Sequence, residues 1–265
     1  MKPDPILTVR NISKQFASLR AVNGVSLDVA RRSITALIGP NGAGKTTLFN
    51  LIAGFMPPSD GSVTFEGRSI DRLAAHQRSL AGLVRTFQIP RVFRRLTVME
   101  NLLTANPDQP GEALLGCLLR NRAMRSAEAA ARDKATDLLR LLNIERLAGE
   151  YAGTLSGGQR KLIELGRVLM TDPTMIMLDE PMAGVNPSLG LRLLERVEFL
   201  RSERGLTFLF VEHDMEVVMR VSDRVLVLDQ GQLIADGPPA AIRANDRVID
   251  AYLGRPSTRP AVALS

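Results

Sequence analysis

An α/β fold with a largely parallel sheet, an antiparallel β portion near the N-terminus and an inserted helical portion is predicted by three observations on this 265-residue sequence. A glycine-rich loop at residues 39–44 separates an apolar strand pattern from a helix pattern. Beyond residue 174, short apolar runs alternate with helical stretches, the pattern of parallel strands joined by helical crossovers. Between residues 97 and 148 the chain turns to leucine, alanine and arginine, which reads as a helical insertion.

Residues 6–10, 25–29, 34–38 and 63–66 read as β segments broken by turns. One helix interrupts them. It opens at the glycine loop, runs through Thr46, Leu48 and Leu51, and is stopped by Gly54 and the Pro57-Pro58 pair. In the insertion, Ser126 is expected to cap a helix that ends at Leu142. Strands return at 175–178, 207–211 and 224–228, with a helix over 189–204, and a short strand over 232–235 lies between Gly231 and Gly237. There is no internal repeat and no linker composition. Residues 1–254 are therefore expected to form one domain whose helical part covers about 89–172, with a loose tail over 255–265.

Composition excludes several classes. With 45% hydrophobic and 23% charged residues the chain is not collagen-like, coiled coil or disordered. A single cysteine, Cys117, forbids an internal disulfide and fits a reducing compartment. Asp4 and two flanking prolines break any signal-peptide core, and apolar runs such as 114–119 and 206–211 fall far short of the roughly 20 residues a membrane span needs. The chain is expected to stay inside and not to cross a bilayer by itself. Net charge is +6, and residues 85–146 hold 11 Lys or Arg against 7 Asp or Glu. That excess suits nucleic acid, anionic lipid or a protein partner, and equally a solvated helical face.

Gly39-Pro40-Asn41-Gly42-Ala43-Gly44-Lys45-Thr46 matches G-x-x-x-x-G-K-[ST] between a strand and a helix, the context of a P-loop; Thr47 follows within the first helical turn. Glycines turn backbone N–H groups inward around a polyphosphate, the helix dipole adds positive potential, Lys45 reaches the β- and γ-phosphates and the Thr46 hydroxyl ligates Mg²⁺. Such a site needs a carboxylate at the end of a neighbouring strand. Asp179 and Glu180 end the apolar run 175–178. Asp179 is assigned to the metal, mostly through its water shell, and Glu180 to the attacking water as general base. Leu155-Ser156-Gly157-Gly158-Gln159 precedes a strongly patterned helix. Ser156 and Gln159 suit a capping box. The same loop, with a hydroxyl, bare glycine amides and a helix N-terminus, also suits an anion site.

P-loop, LSGGQ, an apolar strand into Asp179-Glu180 and a later His213, in that order, resemble the nucleotide-binding subunit of ATP-binding cassette (ABC) transporters over residues 6–254. The resemblance implies a P-loop NTPase core of the ABC ATPase fold and an Mg²⁺-dependent ATPase. It also implies a head-to-tail dimer in which each ATP lies between the P-loop of one subunit and residues 155–159 of the other. Phe16 matches the aromatic that stacks on adenine, Gln88 the glutamine that senses Mg²⁺ and the attacking water, and His213 the histidine that hydrogen-bonds the γ-phosphate. Asn186 stands where the family usually carries an aspartate that communicates across the dimer, and an amide brings no negative charge.

The match looks closer still to ATP-binding subunits of branched-chain amino acid importers, through residues 85–88, 96–102, 114–125, 180–187, 211–215 and 251–254. Urea, amide and lipopolysaccharide systems use similar ATPases. The implied partners are transmembrane permease subunits, a second ATPase subunit (a sister chain ahead of a second copy of this one), and indirectly a periplasmic binding protein. The implied place is the cytoplasmic face of the inner membrane. Permease docking is expected between the Gln88 loop and the helical insertion, with Phe87, Val92, Phe93, Leu96 and Val98 as an apolar floor and Arg91, Arg94 and Arg95 as a basic rim. A competing reading is a soluble ABC ATPase acting on nucleic acid or ribosomes through the basic middle segment. Proteins of that class usually fuse two cassettes or add long arms, so no nucleic-acid partner is expected.

Overall fold

The structure is a computed structural model that describes residues 4–86, 92–107 and 122–253. The chain divides into two compact units, Met1–Ala75 with Thr207–Ser265, and His76–Leu206.

The first unit opens with β1 (Pro5–Phe16), β2 (Leu19–Ala30), β3 (Ile34–Ile38), α1 (Lys45–Ala53), β4 (Asp60–Phe65) and β5 (Arg68–Ser69). Four of these strands form an antiparallel sheet in the order β2-β1-β4-β5. β1 and β2 are each 12 residues long, more than twice the predicted segments. Register shifts between Val9 and Ile12 and again around Lys14, with Asn11 at φ 49°, let the ladder continue through polar residues. Such bulges break the period-2 alternation from which strand length is read. Every residue of β3 is buried, as expected of a strand covered on both faces. α1 buries Leu48, Phe49, Leu51 and Ile52 and ends at Gly54, whose left-handed φ of 80° lets its N–H reach the carbonyls of Asn50 and Leu51.

The second unit carries α2 (Ala75–Leu80, whose first residue belongs to the first unit), β6 (Leu83–Arg85), α3 (Val98–Leu103), α4 (Arg122–Leu141), α5 (Gly157–Leu169), β7 (Met175–Asp179) and α6 (Pro187–Arg204). β6 and β7 pair in parallel, Leu83 opposite Met175 and Arg85 opposite Met177. Two sequence expectations are corrected here. α4 starts at Arg122, so Ser126 lies inside the helix and does not cap it. The alanine-rich stretch around it favours helix strongly enough to carry the start upstream of the serine. Val98, expected in a docking floor, is fully buried. The capping box of Thr97 and Glu100 starts α3 at Val98. The buried set of these helices includes Val98, Leu102, Ala135, Leu139 and Leu142. Gly166 lets α5 approach: a Cβ there would stand 3.1 Å from Leu142 and 3.3 Å from Leu102.

The chain then returns to the first unit as β8 (Thr207–Val211), α7 (Met215–Val221), β9 (Arg224–Asp229), β10 (Gln232–Gly237), α8 (Pro239–Arg243) and α9 (Asp246–Leu253). β3 is flanked in parallel by β8 and β9, and β10 adds to β9 antiparallel. The glycine loop thus leaves the carboxyl end of an inner strand, where α/β sheets place ligand crevices. Among the described residues, no helix is long and apolar enough to cross a membrane. Phe87, Gln88 and Arg91, Cys117 with much of the 114–125 insertion, and the tail lie outside the described residues.

Candidate functional site

In the first unit the loop between β3 and α1 is fixed by what its glycines exclude. A Cβ on Gly39, at φ 149°, would lie 2.0 Å from the Leu228 carbonyl oxygen, and one on Gly44, at φ 97°, would lie 2.3 Å from that of Ala21. β9 and the start of β2 therefore close on bare backbone, and the Gly231 N–H donates to the Ala43 carbonyl at 3.0 Å. The buried Lys45 ammonium donates to the carbonyls of Gly39 at 2.8 Å and Pro40 at 2.9 Å. Asn41, Gly42 and Thr46 are exposed and Thr47 is half-buried. Gly44 caps α1 without a side-chain acceptor, and no acid sits in the first helical turn. Backbone N–H groups, a helix N-terminus and a buried lysine make an anion site of polyphosphate type.

Phe16 is 44% exposed at the end of β1, so it is not a core phenylalanine, and the Lys14 ammonium lies 5.5 Å from its ring centre. His213 is exposed just beyond β8; its N–H donates to the Glu212 carboxylate at 3.2 Å, while Asp214 caps α7. Tyr252 on α9, read in the sequence only as part of the 251–254 ending, is partly buried, and that burial pushes its phenol above the ordinary tyrosine range, opposed by the nearby Gly39 backbone.

The second unit holds the acid pair and the second glycine loop. Asp179 ends β7 almost fully buried, and the Arg85 guanidinium donates to its Oδ2 at 2.6 Å. Glu180 follows at φ 48°, a left-handed backbone that a non-glycine residue adopts only where its surroundings hold it. The Ser156 hydroxyl accepts from the Gln159 N–H at 3.3 Å and the Gln159 side chain accepts from the Ser156 N–H at 2.9 Å, a reciprocal cap on α5. Arg160 donates to the Leu155 carbonyl. A Cβ on Gly158 would meet Leu189 at 2.2 Å, whereas one on Gly157 would find only the Gly184 carbonyl at 3.6 Å. Asn186 caps α6, its Oδ1 accepting from the N–H and hydroxyl of Ser188 at 3.0 and 2.9 Å. An open groove of about 1080 Å³ runs along this edge, with Ser156, Gln159 and Asn186 beside Arg140, Arg146 and Arg192.

The amphipathic pattern of α5 suggests Lys161 and Glu164 outside the apolar face, yet both are buried. Lys161 Nζ donates to the carbonyls of Glu180, Pro181 and Ala183 at 3.0, 2.8 and 2.8 Å. Farther along, Phe93 is half-exposed with the Arg167 guanidinium 4.9 Å from its ring centre. Buried Asn101 pins the turn that carries Phe93, accepting from its N–H at 2.8 Å and donating to its carbonyl and those of Leu96 and Thr97. Among the described residues no three His, Cys, Asp or Glu cluster as a metal cage. Within the first unit the exposed Thr46 hydroxyl is a hard oxygen donor of the kind Mg²⁺ takes beside waters and substrate phosphates.

Comparison with known proteins gives this geometry its family. The ABC transporter family pattern matches residues 22–183. The chain belongs to the ABC transporter family. A further pattern, the branched-chain amino acid ATP-binding cassette transporter, matches residues 232–257, which begin at β10. This cassette is 43% identical over 250 residues to the high-affinity branched-chain amino acid transport ATP-binding protein BraF of Pseudomonas aeruginosa, covering 94% of this chain and 98% of that one. LivG of Escherichia coli K12, described in the same words, is 41% identical over 250 residues with the same coverage. Among solved structures, a nucleotide-free ATP-binding cassette from an ABC transporter superposes with a TM-score of 0.81 at 38% identity, over 94% of this chain and 99% of the other. The ADP conformation of such a cassette also gives 0.81 at 38% identity, over 95% and 99%. The ABC cassette fold is thus established, with its N-terminal antiparallel sheet and parallel strands.

Proposed function

We propose that this cassette is an Mg²⁺-dependent ATPase that powers uptake of branched-chain or related amino acids through separate permease subunits. The observation that carries the reading is one chain holding two phosphate-type loops, residues 39–46 and 155–159, together with the acid pair Asp179-Glu180. The cargo follows from the match of residues 232–257 and from relatives named for branched-chain amino acid transport.

In this reading residues 1–254 act as one nucleotide-binding domain. The first unit binds ATP: Phe16 against adenine, the amides of residues 39–47 and the Lys45 ammonium against the phosphates, His213 on the γ-phosphate. Thr46, Asp179 and Gln88 would hold Mg²⁺, which supplies charge neutralisation on the β- and γ-oxygens. Glu180 accepts a proton as water oxygen attacks the γ-phosphorus and the bond to the β-phosphate oxygen breaks, releasing ADP and phosphate. Leu155, Ser156, Gly157, Gly158 and Gln159 close on the nucleotide of a partner cassette, for which a sister chain is preferred to a second copy. The permease holds the cassette at the cytoplasmic face of the inner membrane, and a periplasmic binding protein delivers the cargo. Nucleic acid has no part in it.

Glu180→Gln tests the reading. The amide keeps size and hydrogen bonding but takes no proton, so ATP binding should persist, turnover should fall by about 10²-fold or more, and cells relying on this chain should lose uptake of labelled leucine. Wild-type hydrolysis by Glu180→Gln in the assembled transporter would overturn the general-base assignment. Intact leucine uptake in cells lacking the chain would overturn the cargo.

A further inference from the structure

Lys161 sits in the second turn of α5, two residues beyond the glycine loop, with only 8% of its surface exposed. An ammonium has three N–H donors, and the carbonyls of Glu180, Pro181 and Ala183 accept from Nζ within 3.0 Å. All three acceptors belong to the single turn that follows β7. Burying a cation is costly unless its bonds are made well, so this lysine is an expensive way to pack a helix against a turn. A leucine would have packed there without that cost. The turn itself needs holding: Glu180 is left-handed at φ 48°, and within the turn the Ala183 N–H donates to the Glu180 carbonyl at 3.1 Å. The same junction is closed on its other side by Gly158, whose missing Cβ admits Leu189 and Val185. Lys161, Glu164, Asp179 and Pro181 also line one small internal pocket.

We propose that Lys161 is a positioning residue for Glu180. Its ammonium ties the backbone of the Glu180 turn to the first turns of α5, so that displacement of residues 155–159 displaces the carboxylate that takes the proton from water. One subunit's contact with its partner's nucleotide is thereby passed to that subunit's own Glu180. The proposal rests on the role given above to Glu180 and to residues 155–159. Lys161 donates to backbone carbonyls of the Glu180 turn and is argued to act through Glu180.

The experiment compares Lys161→Met, Lys161→Gln and Lys161→Arg in the full transporter complex, with Glu180→Gln alongside, by steady-state ATP hydrolysis and equilibrium ATP binding. Methionine, one atom shorter, keeps the unbranched stem and removes every donor. For Lys161→Met we expect kcat to fall about tenfold or more while KM for ATP moves less than about twofold, the split of a residue that acts on the chemical step and not on binding. Lys161→Arg, still a cation with several donors, should recover most of the turnover. In the Glu180→Gln background, single-turnover hydrolysis should lose nothing more on adding Lys161→Met, because the effect passes through Glu180. A folded Lys161→Met with wild-type kcat overturns the proposal, as does a further large loss in the Glu180→Gln background. Should the methionine variant not fold, Lys161→Gln, which keeps two donors, is read by the same criteria. A chain that folds with neither makes Lys161 a requirement of the fold and overturns the proposal. Glu180→Gln separates the two readings: if it turns over normally the general-base assignment fails first, and if it is inactive while Lys161→Met is normal only the present proposal fails.

Discussion

Gly157 and Gly158 are adjacent in sequence and face different surroundings. A methyl on Gly158 would lie 2.2 Å from one carbon of Leu189, 2.8 Å from another and 3.0 Å from Val185, while a methyl on Gly157 meets only a carbonyl oxygen at ordinary contact distance. Gly158→Ala should therefore destabilise the chain by about 1–3 kcal/mol through overpacking. Gly157→Ala should stay within about 0.5 kcal/mol of the parent, as surface substitutions do. Urea unfolding of the two purified variants checks this, and equal losses would show that the α5–α6 junction yields more than its geometry suggests. Gly157→Asp asks a different question of the same loop. It should leave nucleotide binding by the monomer intact and block ATP-driven pairing, because a carboxylate would face the partner's γ-phosphate. Normal pairing measured by size-exclusion chromatography with ATP would reduce residues 155–159 to a helix cap.

At the scale of the elements, the short helix α3 shows how a polar side chain can organise a surface. Asn101 is fully buried and makes four hydrogen bonds to the backbone of the turn before it, at 2.8 to 3.3 Å. Asn101→Ala leaves those groups without their partner and should cost about 1–3 kcal/mol in thermal or denaturant unfolding, with amide exchange accelerated in residues 92–97 first. Uniform exchange across α3, α4 and α5 would instead mean that the turn has no independent stability. Sequence pattern reveals elements whose burial is simple. Continuous apolar runs gave β3, β7 and β8 nearly to the residue, and Ser156 with Gln159 gave the start of α5. It fails where burial and polarity part company. β6 is three residues long, too short for any period to register. The bulged ends of β1 and β2 carry polar residues in a ladder whose register shifts. Lys161 was legible only as a charge off the apolar stripe, since nothing in a helix pattern tells that backbone carbonyls wait opposite a particular lysine. The motifs were legible for the opposite reason: a phosphate loop needs its glycines in consecutive order, so its geometry is local.

For the molecule as a whole, no helix among the described residues is long and apolar enough to cross a membrane, so the proposed coupling to permease subunits calls for a noncovalent contact. Phe93 offers one, about half-exposed with Arg167 over its ring. Burial lowers the Arg167 guanidinium below the ordinary arginine range, opposed by the charge of Glu164, yet it remains a cation at neutral pH. Phe93→Glu places a carboxylate on an exposed position beside that cation, so the fold and ATP binding should be unchanged. Docking of an apolar permease helix should fail, because it would bury the new charge. Co-purification of permease subunits with the tagged variant measures this. Full recovery would remove Phe93 from the docking surface, and loss of soluble chain would make it part of the core.

The cap at the head of α6 bears on which chain can stand opposite this one. Both lone pairs of the Asn186 carbonyl oxygen are taken by Ser188. What the side chain has left to show a neighbour is its amide NH₂, a pair of donors with no charge. An aspartate at this point would face its neighbour as an acceptor and call for a donor in return; Asn186 reverses that polarity and calls for a carbonyl or a carboxylate. In the pairing proposed above, that amide is expected to favour a partner chain that presents an acceptor at the facing position.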